Sequence, residues 1–264
     1  MSKSRIDPVL TRRGALAALA ALAVAGCGGS DRSAAAPAHW DYDAEGPDHW
    51  ADLDRRFGTC RSGHAQSPID LPGHTELHPD EHIDIEYGPI SSVELVHTGH
   101  TIQANVAAGS RNRIVVDGSG FELAQFHFHL PSEHTVDGAE QAMELHFVHA
   151  DPSGRLAVLA VLLRAQSAAA PLETVLAALP QRSGATRTVA GVDPRAFLPA
   201  GFAQFRYEGS LTTPPCTEGV QWIVLRDPAP VAVTDVEHYR ALFPHSNRPV
   251  QPRYGRPVVL AGAN

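Results

Sequence analysis

The chain has 264 residues, 43% hydrophobic and 19% charged, which is enough apolar material for one large domain with a full core. Its formal net charge of -8 has the wrong sign for a phosphate-binding surface, which excludes a nucleic-acid partner. Only Lys3 is a lysine, whereas histidine is abundant at 15 residues, so the arrangement of the histidines has to be informative.

The N-terminus reads as an address. Thr11-Arg12-Arg13-Gly14 precedes an apolar run over residues 15–25, the length of an export signal and too short to span a membrane. The arginine pair resembles a twin-arginine signal, with general secretion as the alternative. Val24-Ala25-Gly26-Cys27 resembles a bacterial lipobox, which implies removal of residues 1–26 and a lipid on Cys27. Cleavage there turns 21 basic and 29 acidic residues into 17 and 28, a mature charge of -11. Residues 27–38 then form the lipidated cysteine and a small, polar, flexible tether, followed by a single domain over residues 39–264. The expected location is the bacterial cell envelope or periplasm, with the membrane touched only through Cys27. Cys60 and Cys216 remain as an even pair, either bridged or as two buried thiols, in a compartment that permits disulfides.

Short β-like runs follow at residues 83–87, 93–97, 101–106, 113–116, 121–130, 142–149, 156–163, 221–225 and 257–260, each bounded by Gly, Pro, Asp or Ser. Two helices are expected, one over residues 171–179 and one beginning at Thr234, where Thr234-Asp235-Val236-Glu237 has capping-box spacing. The fold class is therefore mainly β with a minor α component: a single domain around a large, mostly antiparallel sheet with a few short peripheral helices.

The histidine pattern carries chemistry. In Gln125-Phe126-His127-Phe128-His129 the residues at i and i+2 share one strand face, so His127 and His129 project together while the phenylalanines turn the other way. Glu144-Leu145-His146-Phe147 repeats the alternation. If the two strands pair, three imidazoles converge and leave the fourth tetrahedral position of a zinc ion open, as catalytic sites do. Gln125 and Glu144, each two residues before a ligand, are placed to accept the second N–H of His127 and His146.

Taken in chain order, His39-Trp40-x-Tyr42, Gln66-Ser67-Pro68-Ile69-Asp70, Gly99-His100-Thr101, Gln125 to His129, Ser132-Glu133-His134-Thr135, Glu144-Leu145-His146-x-Val148-His149, Gly209 to Cys216 and Trp222-Ile223-Val224-Leu225 resemble the α-carbonic anhydrase family. The likeness extends from about residue 39 to Val250. It implies a single domain around a large twisted, mostly antiparallel sheet and the reversible hydration of carbon dioxide to bicarbonate by hydroxide generated at zinc. Under that resemblance His127, His129 and His146 hold the metal, Thr212 orients the nucleophile by donating to Glu133, and Thr213 contacts bicarbonate. Val148, Leu156, Val158, Leu211 and Trp222 would form an apolar pocket for carbon dioxide, and His100 would shuttle the proton, with Tyr42, Thr98 and Gln103 ordering the waters between. Cys60 and Cys216 match a disulfide of the family's bacterial members. His97 departs from the family, where asparagine is common.

Two alternatives stand beside this reading. His127-x-His129-x-x-x-Glu133 resembles the metal motif of cupin barrels, although Glu140 occupies the position where that motif expects glycine. The other is a carbonic-anhydrase-like binding module without metal, whose members typically lack a ligand histidine.

Overall fold

Period-two patterning builds the sheet. In the strand Ile90–His97, Val93, Leu95 and His97 are buried and Glu94 is exposed; in Ile102–Asn105, Ile102 and Ala104 are fully buried. The computed structural model describes residues 38–262 apart from 76, 79–82 and 169; the export segment, Cys27 and most of the tether lie outside the described residues.

Among the described residues, a twelve-stranded sheet runs in the order Thr186–Val192, Ile90–His97, Ile102–Asn105, Ser119–His129, Met143–Ala150, Leu156–Gln166, Glu218–Ala232, Gln204–Ser210, Val259–Ala261 and Leu77–His78. Ile83–Glu86 and Arg113–Val116 extend it beside the first half of Ser119–His129. Pairing is antiparallel throughout except between Leu156–Gln166 and Glu218–Ala232 and between Val259–Ala261 and Leu77–His78. The expected mainly β fold with short helices is what forms.

One irregularity sets the direction of the site. In Ser119–His129, Leu123 lies opposite His149 and Gln125 lies opposite Val148, so Ala124 is an extra residue. Phe121 and Leu123, at odd positions, and Phe126 and Phe128, at even positions, all join the same core cluster. The bulge inverts the alternation between them, which turns Gln125, His127 and His129 to the opposite side of the sheet. Phe126 packs at 5.6 Å from the Phe147 ring of the neighbouring strand, with both fully buried. Each such ring contributes about 1.5–3 kcal/mol of transfer free energy.

Several elements differ from expectation. Thr186–Val192 and Gln204–Ser210 are strands that no expected run covers; the first is mostly exposed, and the second mixes Gln, Arg and Glu with its buried residues. Glu218–Ala232 runs well past residue 225, through Pro228 and Pro230. Its pairing with Gln204–Ser210 ends at Leu225, so these prolines sit where one side of the strand is unpaired and needs no N–H. Because this strand stays paired up to Ala232, the following helix begins at once, as Val233–Leu242. The expected capping box at Thr234 does not form: the N-cap is Ala232, without a side-chain cap, and Thr234 lies inside the helix. The helix expected over residues 171–179 contracts to Glu173–Leu176, its buried face being Val175 and Leu176. Pro180 disfavours helical backbone in the residue before it.

Cys60, in the short helix Thr59–Ser62, is bonded to Cys216, which follows the cis Pro214–Pro215 bond. The bridge sits among Trp50 and Phe57. A sequence separation of 156 residues makes this a large closed loop, whose removal is worth about 2–5 kcal/mol. Replacing both cysteines with alanine should lower unfolding free energy by that amount in denaturant titrations. Coincident curves for the two proteins would remove the bridge from the stability account.

Candidate metal centre

Antiparallel register brings the residues together. His127 lies opposite His146 and His129 opposite Glu144. The three imidazole rings lie 4.5 to 5.3 Å apart between centroids, and one nitrogen from each lies within 4.8 Å of the others.

Each ring is held by its remaining nitrogen. His127 Nδ1–H donates to Gln125 Oε1 at 2.8 Å, His129 Nδ1–H to the Ser246 carbonyl at 2.6 Å, and His146 Nε2–H to Glu144 Oε1 at 2.7 Å. These acceptors fix the tautomers, so Nε2 of His127, Nε2 of His129 and Nδ1 of His146 present lone pairs to one another. Burial lowers the proton affinity of all three, His129 to about 4. They are neutral at pH 7, the form that binds a metal. His129 Nε2 is buried without a hydrogen-bond partner. An orphaned lone pair beside two others fits a divalent cation and is costly otherwise.

Glu144, fully buried, accepts four bonds: Oε2 from the backbone N–H groups of Glu133 and His134 at 2.9 and 2.8 Å, and Oε1 from His134 Nδ1–H and His146 Nε2–H, each at 2.7 Å. Burial alone would raise its pKa, yet the His134 and His146 rings hold the carboxyl well below the usual range. His134 also meets the Tyr207 hydroxyl at 2.6 Å, which makes it a structural link.

Glu133 is buried beside the trio, with Oε2 at 3.5 Å from His129 Nε2 and 3.9 Å from His146 Nδ1. Oε1 accepts from the Arg248 N–H at 2.8 Å, and the Thr212 hydroxyl favours the ionised carboxylate, although Oε2 has no partner in strict hydrogen-bond geometry. Burial nevertheless raises Glu133 to about 7. Thr213 is half-buried in the same loop.

Val148, Val158 and Trp222 stand opposite one another on successive strands, and Leu156 and Leu211 pack against them. The Trp222 ring lies 4.9 Å from His146. His100 sits in the turn after Ile90–His97, stacked on Trp40 at 3.6 Å, and burial lowers its pKa to about 4. Thr98 spends its hydroxyl on its own turn, accepting from the His100 and Thr101 N–H groups, so it is a turn former rather than an organiser of water. Gln103 lies opposite His127 and donates to Asn105 at 2.6 Å. His149 is a core residue held by Tyr87 and Ala157. The Ser246 carbonyl and the Arg248 N–H are functional groups without a sequence signature, since every residue carries a carbonyl. Arg248 itself is buried, donating to Gln66 Oε1 and to the Ser67 and Cys60 carbonyls.

The family model for the eukaryotic-type carbonic anhydrase matches residues 45–261. A carbonic anhydrase of Klebsiella pneumoniae is 40% identical over 226 residues, 84% of this chain and 90% of that protein. One from Pectobacterium carotovorum is 36% identical over 236 residues, 86% of this chain and 93% of that protein. The solved alpha-carbonic anhydrase of Thermovibrio ammonificans, in complex with the inhibitor sulfanilamide, has a TM-score of 0.78 at 41% identity, covering 84% of this chain and 99% of that one.

The Glu144 carboxylate orients His146 and the backbone that carries Glu133. Glu144→Gln should therefore weaken binding of an added divalent metal roughly 10- to 100-fold in competition with a chelator. Unchanged binding would mean that His146 needs no carboxylate to direct it.

Proposed function

The chain belongs to the eukaryotic-type, or alpha, carbonic anhydrase family and is a carbonic anhydrase, and from that premise we propose that zinc is held by His127, His129 and His146 and that His100 carries the product proton away. The observation supporting the metal is the pinned trio, with three lone pairs facing one another and one of them buried without a partner. Zinc, when bound, supplies the Lewis acidity that makes water nucleophilic at neutral pH, an effect for which carbonic anhydrases are the type case.

The protein's own residues then do the positioning. An ionised carboxylate only accepts hydrogen bonds, so the Thr212 hydroxyl gives its single proton to Glu133 and turns its lone pairs towards the nucleophile. Thr212 thus accepts the nucleophile's hydrogen and directs its oxygen at the carbon of the substrate. Burial outweighs the nearby His146, Arg248 and Thr212 groups and raises Glu133 to about 7, and a cation in the histidine trio would lower it again, which favours the ionised form that Thr212 requires. Carbon dioxide is apolar and suits the wall formed by Val148, Leu156, Val158, Leu211 and Trp222; bicarbonate, once formed, contacts Thr213. Stacked on Trp40, His100 holds a proton weakly. Turned into solvent it regains an ordinary value of about 6.5, matched to uptake and release near neutrality.

The proposed organisation is a removed export signal over residues 1–26, a lipidated Cys27 with a tether to residue 38, and the catalytic domain over residues 39–264, in the bacterial cell envelope. The Cys60–Cys216 bridge supports an oxidising compartment. No helix among the described residues is long and apolar enough to cross a membrane. Cys27→Ser should move the protein from the membrane to the soluble fraction of the producing cell; unchanged sedimentation would exclude the lipid anchor.

His129→Ala should lose both zinc and carbon dioxide hydration, while His100→Ala should keep zinc and turn over more slowly, with imidazole buffer restoring the rate. Near-normal hydration by the first variant would refute the ligand assignment, and absence of a buffer response in the second would remove His100 from the proton path.

A further inference from the structure

His97 has a defined place in the turn that presents His100. Its backbone ends the strand Ile90–His97 opposite Ile102, and it is fixed twice, its N–H donating to the Ala185 carbonyl at 3.0 Å and its carbonyl accepting from Gly184 N–H at 2.8 Å. The side chain then turns back on the following residues. Nδ1 accepts from the Gly99 N–H at 3.1 Å. The ring is buried and packs on Phe243 at 4.8 Å between centroids.

That contact chain is continuous. Phe243 lies 5.1 Å from the Tyr239 ring, whose hydroxyl donates to the Phe128 carbonyl at 2.7 Å and meets the Thr101 hydroxyl at 3.0 Å. Thr101 closes the same turn, since its carbonyl accepts from the Thr98 N–H at 3.0 Å. The turn is thus anchored on its entry side by His97 and on its exit side by Thr101, and both anchors rest on the helix Val233–Leu242 and its C-cap Phe243. Gly99 adopts φ +99°, a conformation that side chains rarely tolerate, and its N–H, which lies outside the strand ladder, is met by the His97 ring.

We propose that His97 is a positioning residue for proton transfer, whose Nδ1 fixes the Gly99 amide and thereby the turn that carries His100. This rests on the reading of His100 as the proton carrier. His97 acts as an acceptor in the turn through Nδ1, which leaves its one proton on Nε2, and it is not the residue that carries the product proton. Asparagine places Oδ1 on Cγ where histidine places Nδ1, so His97→Asn retains the acceptor, whereas His97→Leu retains apolar contact with Phe243 and loses it.

The test compares both variants with His100→Ala. In dilute buffer of low proton-accepting strength, His97→Leu should lower kcat about fivefold, the bias expected from one neutral hydrogen bond. Its kcat/KM for carbon dioxide should be unchanged, because the chemical step is untouched. Imidazole should restore kcat, and His97→Asn should match the wild type. Hydrogen exchange at the Gly99 amide reads the turn directly: protected in the wild type and His97→Asn, fast in His97→Leu. A wild-type kcat for His97→Leu overturns the proposal while a slowed His100→Ala keeps the shuttle. Equal slowing in both His97 variants also overturns it, since the ring rather than its acceptor would then matter, as does a parallel fall in kcat and kcat/KM. If His100→Ala is as fast as the wild type, the shuttle reading fails, and the exchange data alone decide whether His97 holds the turn.

Discussion

A single buried carboxylate organises the centre. Glu144 is taken wholly out of water, a cost of several kcal/mol for an unpaired ion, and it stays ionised because four N–H donors converge on it. Two of those donors are backbone groups of the segment that carries Glu133, one belongs to His134, and one to a candidate metal ligand. The same charge therefore fixes a tautomer, the path of a loop and the place of the carboxylate that Thr212 addresses. If any one donor moved, the remainder would be left facing a partly satisfied anion, so the arrangement is cooperative.

The face of the sheet that carries the site changes character from strand to strand. Asn105, Gln103, Gln125 and His127 make one side polar, while Val148, Val158 and Trp222 make the other apolar. His146 stands at the boundary, its ring steeply tilted against that of Trp222. A reaction that consumes an apolar gas and releases a proton gains from such a division, because an apolar wall offers the proton no partner.

Much of this was legible in the sequence, for reasons that can be named. His127 and His129 share a face because strands have period two, and Glu144 and His146 repeat that spacing on the next strand. Each places one polar acceptor two residues from an imidazole. The third acceptor, the Ser246 carbonyl, and the Arg248 N–H that supports Glu133 were not legible, because backbone groups leave no trace in residue identity. The strands Thr186–Val192 and Gln204–Ser210 escaped because edge exposure and polar pairing blur the apolar alternation. The helix start failed differently: Thr234 and Glu237 have capping spacing, but tertiary pairing of the preceding strand up to Ala232 overrides it. For His97, family likeness could mark a departure, and only the Gly99 contact gives it a task.

The change of phase between Leu123 and Phe126 is itself written in the chain, and it has a consequence for folding fidelity. Were this strand to pair without the extra residue, Gln125, His127 and His129 would be driven into the phenylalanine-lined interior and Phe126 and Phe128 would be expelled from it. Burying three polar side chains away from their acceptors is heavily penalised. The polar face of this strand thus also penalises a misaligned pairing of the central strands, which favours the bulged register over the regular one.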